Sequence, residues 1–449
     1  MQYVLNLLLN QIFTQPFLLM AIVVFIGYTA MGQKFSKSLV GACKAAIGIL
    51  VMGLGSGPLS TNFGNLLTVL KESTGLQGAG LNTYTAMTAS IARVEAVLGD
   101  GVGTSWTLYC LLVGFIINII LVALRKYTHI KAIYLTGNCM ICQCGISVFL
   151  VWHFLGTSPV VTILIAALLT ALYWGIFSTM LIEPTKEITG GANLTVAHQN
   201  MLMDYVSWKI APKLGDAKVD DIEKKKLPEG LSFLQDSVLA TLLVMFISTA
   251  VIMLISGSNG LARMHELFTA GGAYKNPVIF LIWISVTLTA NIWVLLAGVR
   301  MFVSELMMSF KGISEKLLPG AVAGVDCAAI YGFAPKSVVF GFLVGTVGQL
   351  IAVALLVIFK SPIVLIPGFI PLFFDNATVG IFANKFGGWK ALVIICFVNG
   401  LIQIFGSALV VAMTNLTWWQ GVSDYSTIWL AVTFILKTIG SALGIPTVG

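Results

Sequence analysis

The chain has 449 residues, of which 58% are hydrophobic and only 10% are charged. A soluble protein of this size needs far more charge to cover its surface, so the composition excludes an ordinary soluble domain. The formal net charge of +7 comes from Lys and Arg in the segments between apolar runs, as in cytoplasmic loops of membrane proteins, and does not indicate a nucleic-acid partner.

Apolar runs long enough to cross a bilayer recur from the N-terminus onward, since each spanning helix needs about 20 residues. Because no Lys or Arg precedes the first run and no clear cleavage site follows it, we expect a retained first helix rather than a signal peptide. We predict an all-α polytopic membrane protein with about 11 transmembrane helices. The runs are residues 16–32, 107–124, 132–182 (two spans), 237–261, 277–299, 337–359 and 391–436, the last interrupted only by Asp424.

The hydrophilic segment 204–230 divides the chain into a first half, 1–203, and a second half, 231–449. It carries six Lys residues and six acidic residues, so we expect it in the cytoplasm. Trp208 and Ile210 could anchor its first part at the membrane surface, and a plain solvated linker is the alternative.

A faint similarity links the two halves. "SKSLVGACKAAIGILVMGLGSG" (36–57) and "SEKLLPGAVAGVDCAAIYGFAP" (314–335) both run from a Ser through small residues to a Gly-rich break. Transporters built from inverted repeats show weak similarity of this kind, although abundant Gly and Ala could produce it by chance. Glycine-rich breaks also predict interrupted helices, and "PGFIPLFFDNATVG" (367–380) is a candidate re-entrant hairpin.

Several polar residues stand inside apolar regions, where such residues are costly and therefore candidates for function. Their amides, hydroxyls, imidazole and carboxylate are the groups that bind a polyhydroxylated small molecule. For any one of them the alternative is an interhelical hydrogen bond. The candidates are Tyr84, Thr85, Gln143, His198, Gln199 and Asp326.

The cysteines of "GNCMICQCG" (137–145) raise the possibility of a metal site. Thiolates in a C-x-x-C-x-C pattern bind soft metals, but no paired Cys/His cluster completes a set, so packing is the favoured interpretation. An odd count of seven cysteines argues against a disulfide framework. The sequence contains no P-loop, no G-x-S-x-G and no H-E-x-x-H motif, and we expect no cofactor and no metal.

Long ordered stretches resemble one known family, the membrane (EIIC) component of the bacterial L-ascorbate phosphotransferase system. The resemblance covers nearly the whole chain. It is strongest in "GLGSGPLSTNF" (53–63), "YWGIFS" (173–178), "EPTKEIT" (183–189), "GVRMFVSELMMSFKGISEKLLPGAVAGVDCAAIYGFAP" (298–335), "GQLIAV" (348–353) and "IPGFIPLFFDNATVGIFANKFGGWKA" (366–391).

The resemblance implies a permease in the bacterial inner membrane that carries L-ascorbate inward by an elevator-type movement. Its cytosolic partner is an EIIB domain whose phosphocysteine phosphorylates the substrate to ascorbate 6-phosphate. EIIB receives its phosphoryl group through EIIA, HPr and enzyme I. The implied fold is a homodimer in membrane lipid with eleven transmembrane segments, inverted repeats, a core domain and a V-motif dimerisation domain. The phosphorylated residue belongs to EIIB, so this chain would be the transporting subunit and not the catalyst.

The resemblance also implies which residues contact the substrate. His198 and Gln199 would donate hydrogen bonds to ring oxygens, and Asp326 would accept from side-chain hydroxyls. Asn138 and Cys142 stand where the family often has a His and a Gln, a departure that removes one pair of donors. The full set is Tyr84, Thr85, Cys139, Met140, Ile141, Cys142, Gln143, His198, Gln199 and Asp326.

Other functions stay open from the residues alone. One is a phosphotransferase permease for another sugar acid or polyol. Another is a proton- or sodium-coupled secondary transporter, in which Asp326 would serve the cation. A membrane-embedded enzyme is disfavoured, because no nucleophile with an acid–base pair can be assembled from the sequence.

Overall fold

The computed structural model describes residues 16–74, 78–99, 101–225, 237–268, 276–316, 318–368 and 371–448. Its helices are α1 (Pro16–Ala30), α2 (Phe35–Thr74), α3 (Thr83–Leu98), α4 (Val102–Ala123), α5 (Arg125–Thr128), α6 (Gly137–Leu155), α7 (Pro159–Met180), α8 (Ile182–Thr189), α9 (Met201–Leu214), α10 (Ala217–Asp220), α11 (Ser237–Leu267), α12 (Pro277–Lys316), α13 (Pro335–Ile358), α14 (Asn376–Thr414) and α15 (Ile428–Ala442). The strands are β1 (Gly78–Leu81), β2 (Ala132–Tyr134), β3 (Leu194–Val196), β4 (Val322–Val325), β5 (Val364–Ile366) and β6 (Trp418–Trp419). The mainly helical fold confirms the prediction, whereas the short strands were not predicted.

Six helical stretches of the described chain are long and apolar enough to cross a membrane. All six overlap runs predicted from the sequence. In helix α6, 83% of the apolar stretch is buried inside the protein, so protein rather than lipid surrounds it. The total of about 11 transmembrane helices stays a prediction. The six are Ser105–Ala123, Gly137–Leu155, Pro159–Met180, Pro277–Val294, Pro335–Ile358 and Pro371–Thr414.

The helices pack in two groups. Helices α1, α2, α11 and α12 contact mainly one another, and α2 and α12 are each 40 residues long. Glu305 joins three of these helices, because it accepts a hydrogen bond from the Tyr28 hydroxyl at 2.5 Å and pairs with Lys44 at 3.4 Å. Arg263 pairs with Glu72 at 2.9 Å. We call this the arm group, and we call the remaining helices, which surround the strands, the core group.

The strands form two parallel three-stranded sheets. The order is β2–β4–β3 in the first sheet and β5–β1–β6 in the second. Strands β1 to β3 precede the hydrophilic segment and β4 to β6 follow it. Each sheet therefore takes its central strand from one half of the chain and both edge strands from the other, as a two-fold relation between the halves would produce.

The two segments matched as a sequence repeat do not correspond in structure. Residues 36–57 lie wholly within α2, whereas 314–335 include the end of α12, strand β4 and a 3-10 helix, Cys327–Phe333. The proposed pairing of these segments is wrong, since one is continuous helix and the other is not. Their likeness reflects shared Gly and Ala, and by strand order β1 corresponds to β4.

Helix α14 is a helical hairpin, entered through a π-helical turn, Pro371–Asp375. The amide of Asn399 donates to Asn376 Oδ1 at 2.9 Å. In a straight helix, atoms 23 residues apart would be about 34 Å apart, so the chain reverses between them. Gly388 makes the turn with φ 74° and ψ −174°, a region that favours glycine. This hairpin follows the predicted re-entrant segment, and its depth in the bilayer stays a prediction.

The hydrophilic segment begins inside α9. Lys209 Nζ lies 3.4 Å from the centre of the Trp208 ring, and Ile210 is 42% exposed, which suits a surface anchor. Further on, Asp220 pairs with Lys225 at 3.0 Å and with Lys390 of the hairpin at 3.1 Å. Hydrogen bonds from Lys225 and then Lys390 hold the pKa of Asp220 below its usual value. Residues 226–236 lie outside the described part.

Candidate functional site

The ends of the first sheet's strands bring distant predicted residues together. Carboxyl ends of parallel strands meet at the same edge, where ligands commonly bind. Strand β2 leads into α6 with Cys139, β3 leads to His198 and Gln199, and β4 leads to Asp326. One ligand atom from each of Cys139, His198 and Asp326 lies within 4.8 Å of the other two. These three were predicted separately, and the fold converges on them.

Asp326 is held in place by the helix that follows it. Its Oδ1 accepts hydrogen bonds from the backbone N–H of Ala328 at 3.0 Å and from the Cys327 thiol at 3.5 Å. A carboxylate at a helix N-terminus is stabilised by such donors. The side chain is 6% exposed, and no Lys or Arg in the described ranges forms an ion pair with it. Its acceptor capacity is thus positioned without a neighbouring cation.

His198 is fixed through its backbone, which leaves its ring available. Its carbonyl accepts from the Tyr134 hydroxyl at 2.9 Å and from the Tyr173 hydroxyl at 3.3 Å. The ring stacks on Phe374, with the centroids 6.2 Å apart. It is 5% exposed, and its Nδ1 has no hydrogen-bond partner among the residues the structure describes. A buried nitrogen of this kind is costly unless a ligand meets it.

The two predicted glutamines are also partly unsatisfied. Gln143 Oε1 accepts from the Trp174 indole, but its Nε2 is buried without a partner in the described part of the chain. The same holds for Nε2 of Gln199. Both side chains are almost completely buried. Two amide donors therefore remain for a ligand near the strand ends.

Only some residues of the segment 139–143 can face the same side of α6, since the helix turns by about 100° per residue. Cys139, Cys142 and Gln143 share a face of this helix. Met140 and Ile141 lie on other faces, Met140 in the core and Ile141 half-buried. We therefore regard Met140 and Ile141 as weaker contacts than the sequence alone suggested.

The remaining predicted contacts lie beside the second sheet. Tyr84 and Thr85 are in the first turn of α3, directly after the central strand β1. Their side chains are outside the described part, so their contacts stay a prediction. The neighbouring Thr83 is buried.

Two buried carboxylates near the site were not predicted as site residues. Asp204 and Asp424 are fully buried, as is Asp375, which the sequence placed in the candidate hairpin. Asp424 accepts from the Tyr173 hydroxyl and from the backbone N–H of Leu202 at 3.1 Å. Asp424 could have been predicted as a site residue from the sequence, because it is the lone charge in a long apolar run. Asp204 was hidden, because it opens the hydrophilic segment.

Asp375 and its neighbours form a second polar network. Asp375 Oδ2 accepts from the backbone N–H of Ser423 at 2.6 Å and from its hydroxyl at 2.5 Å. It also accepts from the Gln403 amide. The Ser423 hydroxyl oxygen also lies 2.7 Å from Asn399 Oδ1, so Asp375 and Asn399 share its single proton as acceptors. This network ties the hairpin to the chain after β6 through Oδ2 of Asp375, whereas Oδ1 is buried without a partner among the described residues.

The cluster of Cys139, His198 and Asp326 resembles a catalytic triad in composition but not in geometry. In a triad the imidazole stands between the nucleophile and the carboxylate and separates them. Here the three ligand atoms form a triangle in which every pair is within 4.8 Å. With the free amide donors nearby, the arrangement favours binding over covalent catalysis.

Comparison with known proteins agrees with this picture. A family model described as "EIIC-GAT: PTS system sugar-specific permease component" matches residues 11–434. The ascorbate-specific PTS system EIIC component of Mycoplasma pneumoniae is 33% identical over 435 residues, covering 88% of this chain. The chain spans 65% of that relative's length.

Proposed function

Because the chain belongs to the family of sugar-specific permease components of the phosphotransferase system, multi-pass proteins of the bacterial inner membrane, we propose that it carries L-ascorbate inward. Membership of the family supports transport of a sugar, and the ascorbate-specific relative suggests L-ascorbate as the substrate. The observation that carries the proposal is the convergence of Cys139, His198 and Asp326, with unsatisfied amide donors nearby.

In the proposed complex, the anionic enediol of ascorbate faces donors rather than Asp326. The donors are the His198 ring and the amides of Gln143 and Gln199. The N-terminus of α6 adds positive potential, since the Thr136 hydroxyl does not cap it but donates to the carbonyl of Ala197 at 2.7 Å. Asp326 accepts from the side-chain hydroxyls, where a carboxylate meets no like charge.

Transport is proposed to end in phosphorylation by a cytosolic EIIB partner. The 6-hydroxyl oxygen of ascorbate attacks the phosphorus of the EIIB phosphocysteine. The S–P bond breaks, the EIIB thiolate leaves and the hydroxyl proton passes to solvent, which gives ascorbate 6-phosphate. This chain's part is to bind and present the substrate.

The movement is proposed to be of the elevator type, within a homodimer. The division into two helical groups supports it, because the arm group is held by its own ion pairs while the binding residues all belong to the core group. The core group would then slide past the arm group, which would act as the V-motif dimerisation domain.

Calorimetry on the purified full chain tests the proposal. We expect saturable L-ascorbate binding that His198→Ala and Asp326→Ala each weaken at least tenfold, about 1.4 kcal/mol. His153→Ala is the matched control, because His153 is also buried and lies in α6 but bonds to Val448 at the far end of the helix. Binding that neither site variant weakens would remove these residues from the site. Binding of a different polyol, with none of ascorbate, would reassign the substrate.

A cation-coupled secondary transporter remains a second candidate because of Asp204. Both of its carboxylate oxygens are buried without a hydrogen-bond partner among the described residues, and a proton or cation would satisfy them. Uptake in cells that lack the cytosolic phosphotransferase proteins separates the two functions. Uptake that persists there would favour the second candidate, and its loss would favour the first.

A further inference from the structure

The triangle of Cys139, His198 and Asp326 has the composition and size of a metal site. A thiolate, an imidazole and a carboxylate are the three ligand types of zinc. Bonds of 2.0–2.3 Å place ligand atoms on a tetrahedral ion about 3.3–3.8 Å apart. The observed limit of 4.8 Å therefore requires the ligand atoms to approach one another by at most about 1.0–1.5 Å, a movement on the scale of a side-chain rotation.

The charges of this ligand set match a divalent cation in a buried place. A Cys139 thiolate and the Asp326 carboxylate contribute two negative charges, and the His198 ring is a neutral ligand. Together with a divalent ion the site is neutral, which limits the cost of burying charge. Binding requires the thiol proton to leave for solvent, as it does when cysteine binds zinc.

The scaffold positions two of the three ligands independently of any metal. Asp326 is fixed by the N–H of Ala328, and His198 by two tyrosine hydroxyls on its carbonyl. The strands that precede them are joined, since Ala197 N–H donates to the carbonyl of Val325 at 2.7 Å. The unpartnered, buried Nδ1 of His198 is a second observation that indicates a ligand.

We propose that Cys139, His198 and Asp326 bind one thiophilic divalent cation, such as Zn²⁺, and that the bound ion excludes the transported substrate. The ion takes a ring nitrogen of His198 and a carboxylate oxygen of Asp326, two side chains that the proposed substrate also uses. The exclusion of substrate rests on the function proposed above. The route by which the ion enters rests on it too, because the ion would reach the buried triangle by the path that admits the substrate. Hard cations such as Mg²⁺ prefer all-oxygen sites and should bind far more weakly.

Cobalt tests the ligand set directly, since a thiolate bound to Co²⁺ gives a near-ultraviolet charge-transfer band. The full chain in detergent is stripped with EDTA, with Cys43→Ser in every protein because Cys43 is an exposed cysteine. We expect one Co²⁺ per chain, a band that Zn²⁺ abolishes and Mg²⁺ does not, and loss of the band in Cys139→Ser. His198→Ala and Asp326→Ala should each weaken Co²⁺ binding at least tenfold.

Cys144→Ser is the matched control. Cys144 is buried in the same helix but lies outside the triangle, so the band should survive. This variant also tests the C-x-x-C-x-C alternative, in which Cys144 would be a ligand. The absence of a band, a band that persists in Cys139→Ser, or loss of the band in folded Cys144→Ser would each overturn the proposed site.

Competition tests the second part. L-Ascorbate titrated into the protein with and without saturating Zn²⁺ should bind at least tenfold more weakly when Zn²⁺ is present, and Cys139→Ser should remove this difference. Zn²⁺ has no redox chemistry, so ascorbate does not consume it. Equal ascorbate affinity with and without bound Zn²⁺ would overturn the exclusion. If the cobalt band behaves as expected but ascorbate never binds, the proposed function and the exclusion both fall while the metal site stands.

Discussion

The two sheets have the same topology but opposite chemistry at their carboxyl edges. At the first sheet, β2–β4–β3, the strands lead to Cys139, His198 and Asp326, which lie together, and Nδ1 of His198 is buried without a partner among the described residues. At the second sheet, β5–β1–β6, the chain after β5 and β6 leads to Asp375 and Ser423, which mainly satisfy each other. A shared frame therefore carries a cluster with few hydrogen bonds of its own at one edge and, at the other, a carboxylate whose Oδ2 accepts from three donors while its Oδ1 has no partner among the described residues.

This contrast separates binding from support. A buried carboxylate with several donors stabilises the structure that surrounds it, and its removal leaves those donors unpaired. A buried carboxylate with one cap and no cation nearby has capacity left for a ligand. Asp375 is the first case and Asp326 is the second. Substitution of Asp375 should therefore mainly lower stability, and substitution of Asp326 should mainly weaken ligand binding.

The largest expected effect is the loss of stability in Asp375→Ala. The change removes the acceptor for the Ser423 N–H, the Ser423 hydroxyl and the Gln403 amide, and we expect a loss of about 3 kcal/mol. Asp326→Ala removes one cap and should cost about 1 kcal/mol of stability, while it weakens ligand binding at least tenfold. Unfolding in mixed dodecyl maltoside–SDS micelles, followed by tryptophan fluorescence, measures both. Equal losses of stability would break the distinction between the sheets.

The central strands offer a second comparison, because each carries a glycine that faces a neighbour. A Cβ on Gly324 in β4 would lie 2.8 Å from the Ala197 Cβ and 2.9 Å from the Ile133 carbonyl oxygen. Neither can move without the backbone. A Cβ on Gly80 in β1 would meet the outer ring of Trp418, which is only half-buried and can turn aside.

We therefore expect Gly324→Ala to cost about 2–3 kcal/mol and Gly80→Ala about 1 kcal/mol of unfolding free energy. Gly324→Ala should also weaken ligand binding, since Ala197 precedes His198. The same micelle unfolding, with calorimetry alongside, measures both quantities. A costlier Gly80→Ala would show that the second sheet, and not the first, is the more tightly constrained.

The apolar runs, and hence several spans, could be predicted from the sequence because length and hydropathy are local properties. Asp326 and His198 could be predicted because a lone ionisable group in an apolar run is conspicuous. The strands could not, since they have two to four residues and pair with strands from the other half of the chain. Asp204 was missed for a related reason, as its burial depends on packing that its hydrophilic neighbours conceal.

The smallest expected effect concerns a link between the hydrophilic segment and the second half, outside the site. Asp220 of α10 follows the helix after β3, and Lys390 belongs to the hairpin after β5, so their ion pair joins elements attached to different sheets. The pKa of Asp220 is lowered by Lys225 and Lys390, so it is lower in the folded than in the unfolded protein. The pair's stabilisation is then present above the unfolded pKa of about 3.9 and is lost as the pH falls through the folded pKa.

Lys390→Met should therefore lower the unfolding midpoint slightly at pH 7 and not at all below the folded pKa of Asp220. The difference should also shrink in high salt, because Lys390 is exposed and salt screens its charge. Lys385→Met is the control: Lys385 is exposed on the same hairpin and forms no ion pair among the described residues. A pH-independent deficit in Lys390→Met would mean that the packing of Lys390 on Trp389 (Nζ 6.0 Å from the ring centre), and not its charge, accounts for its contribution to stability.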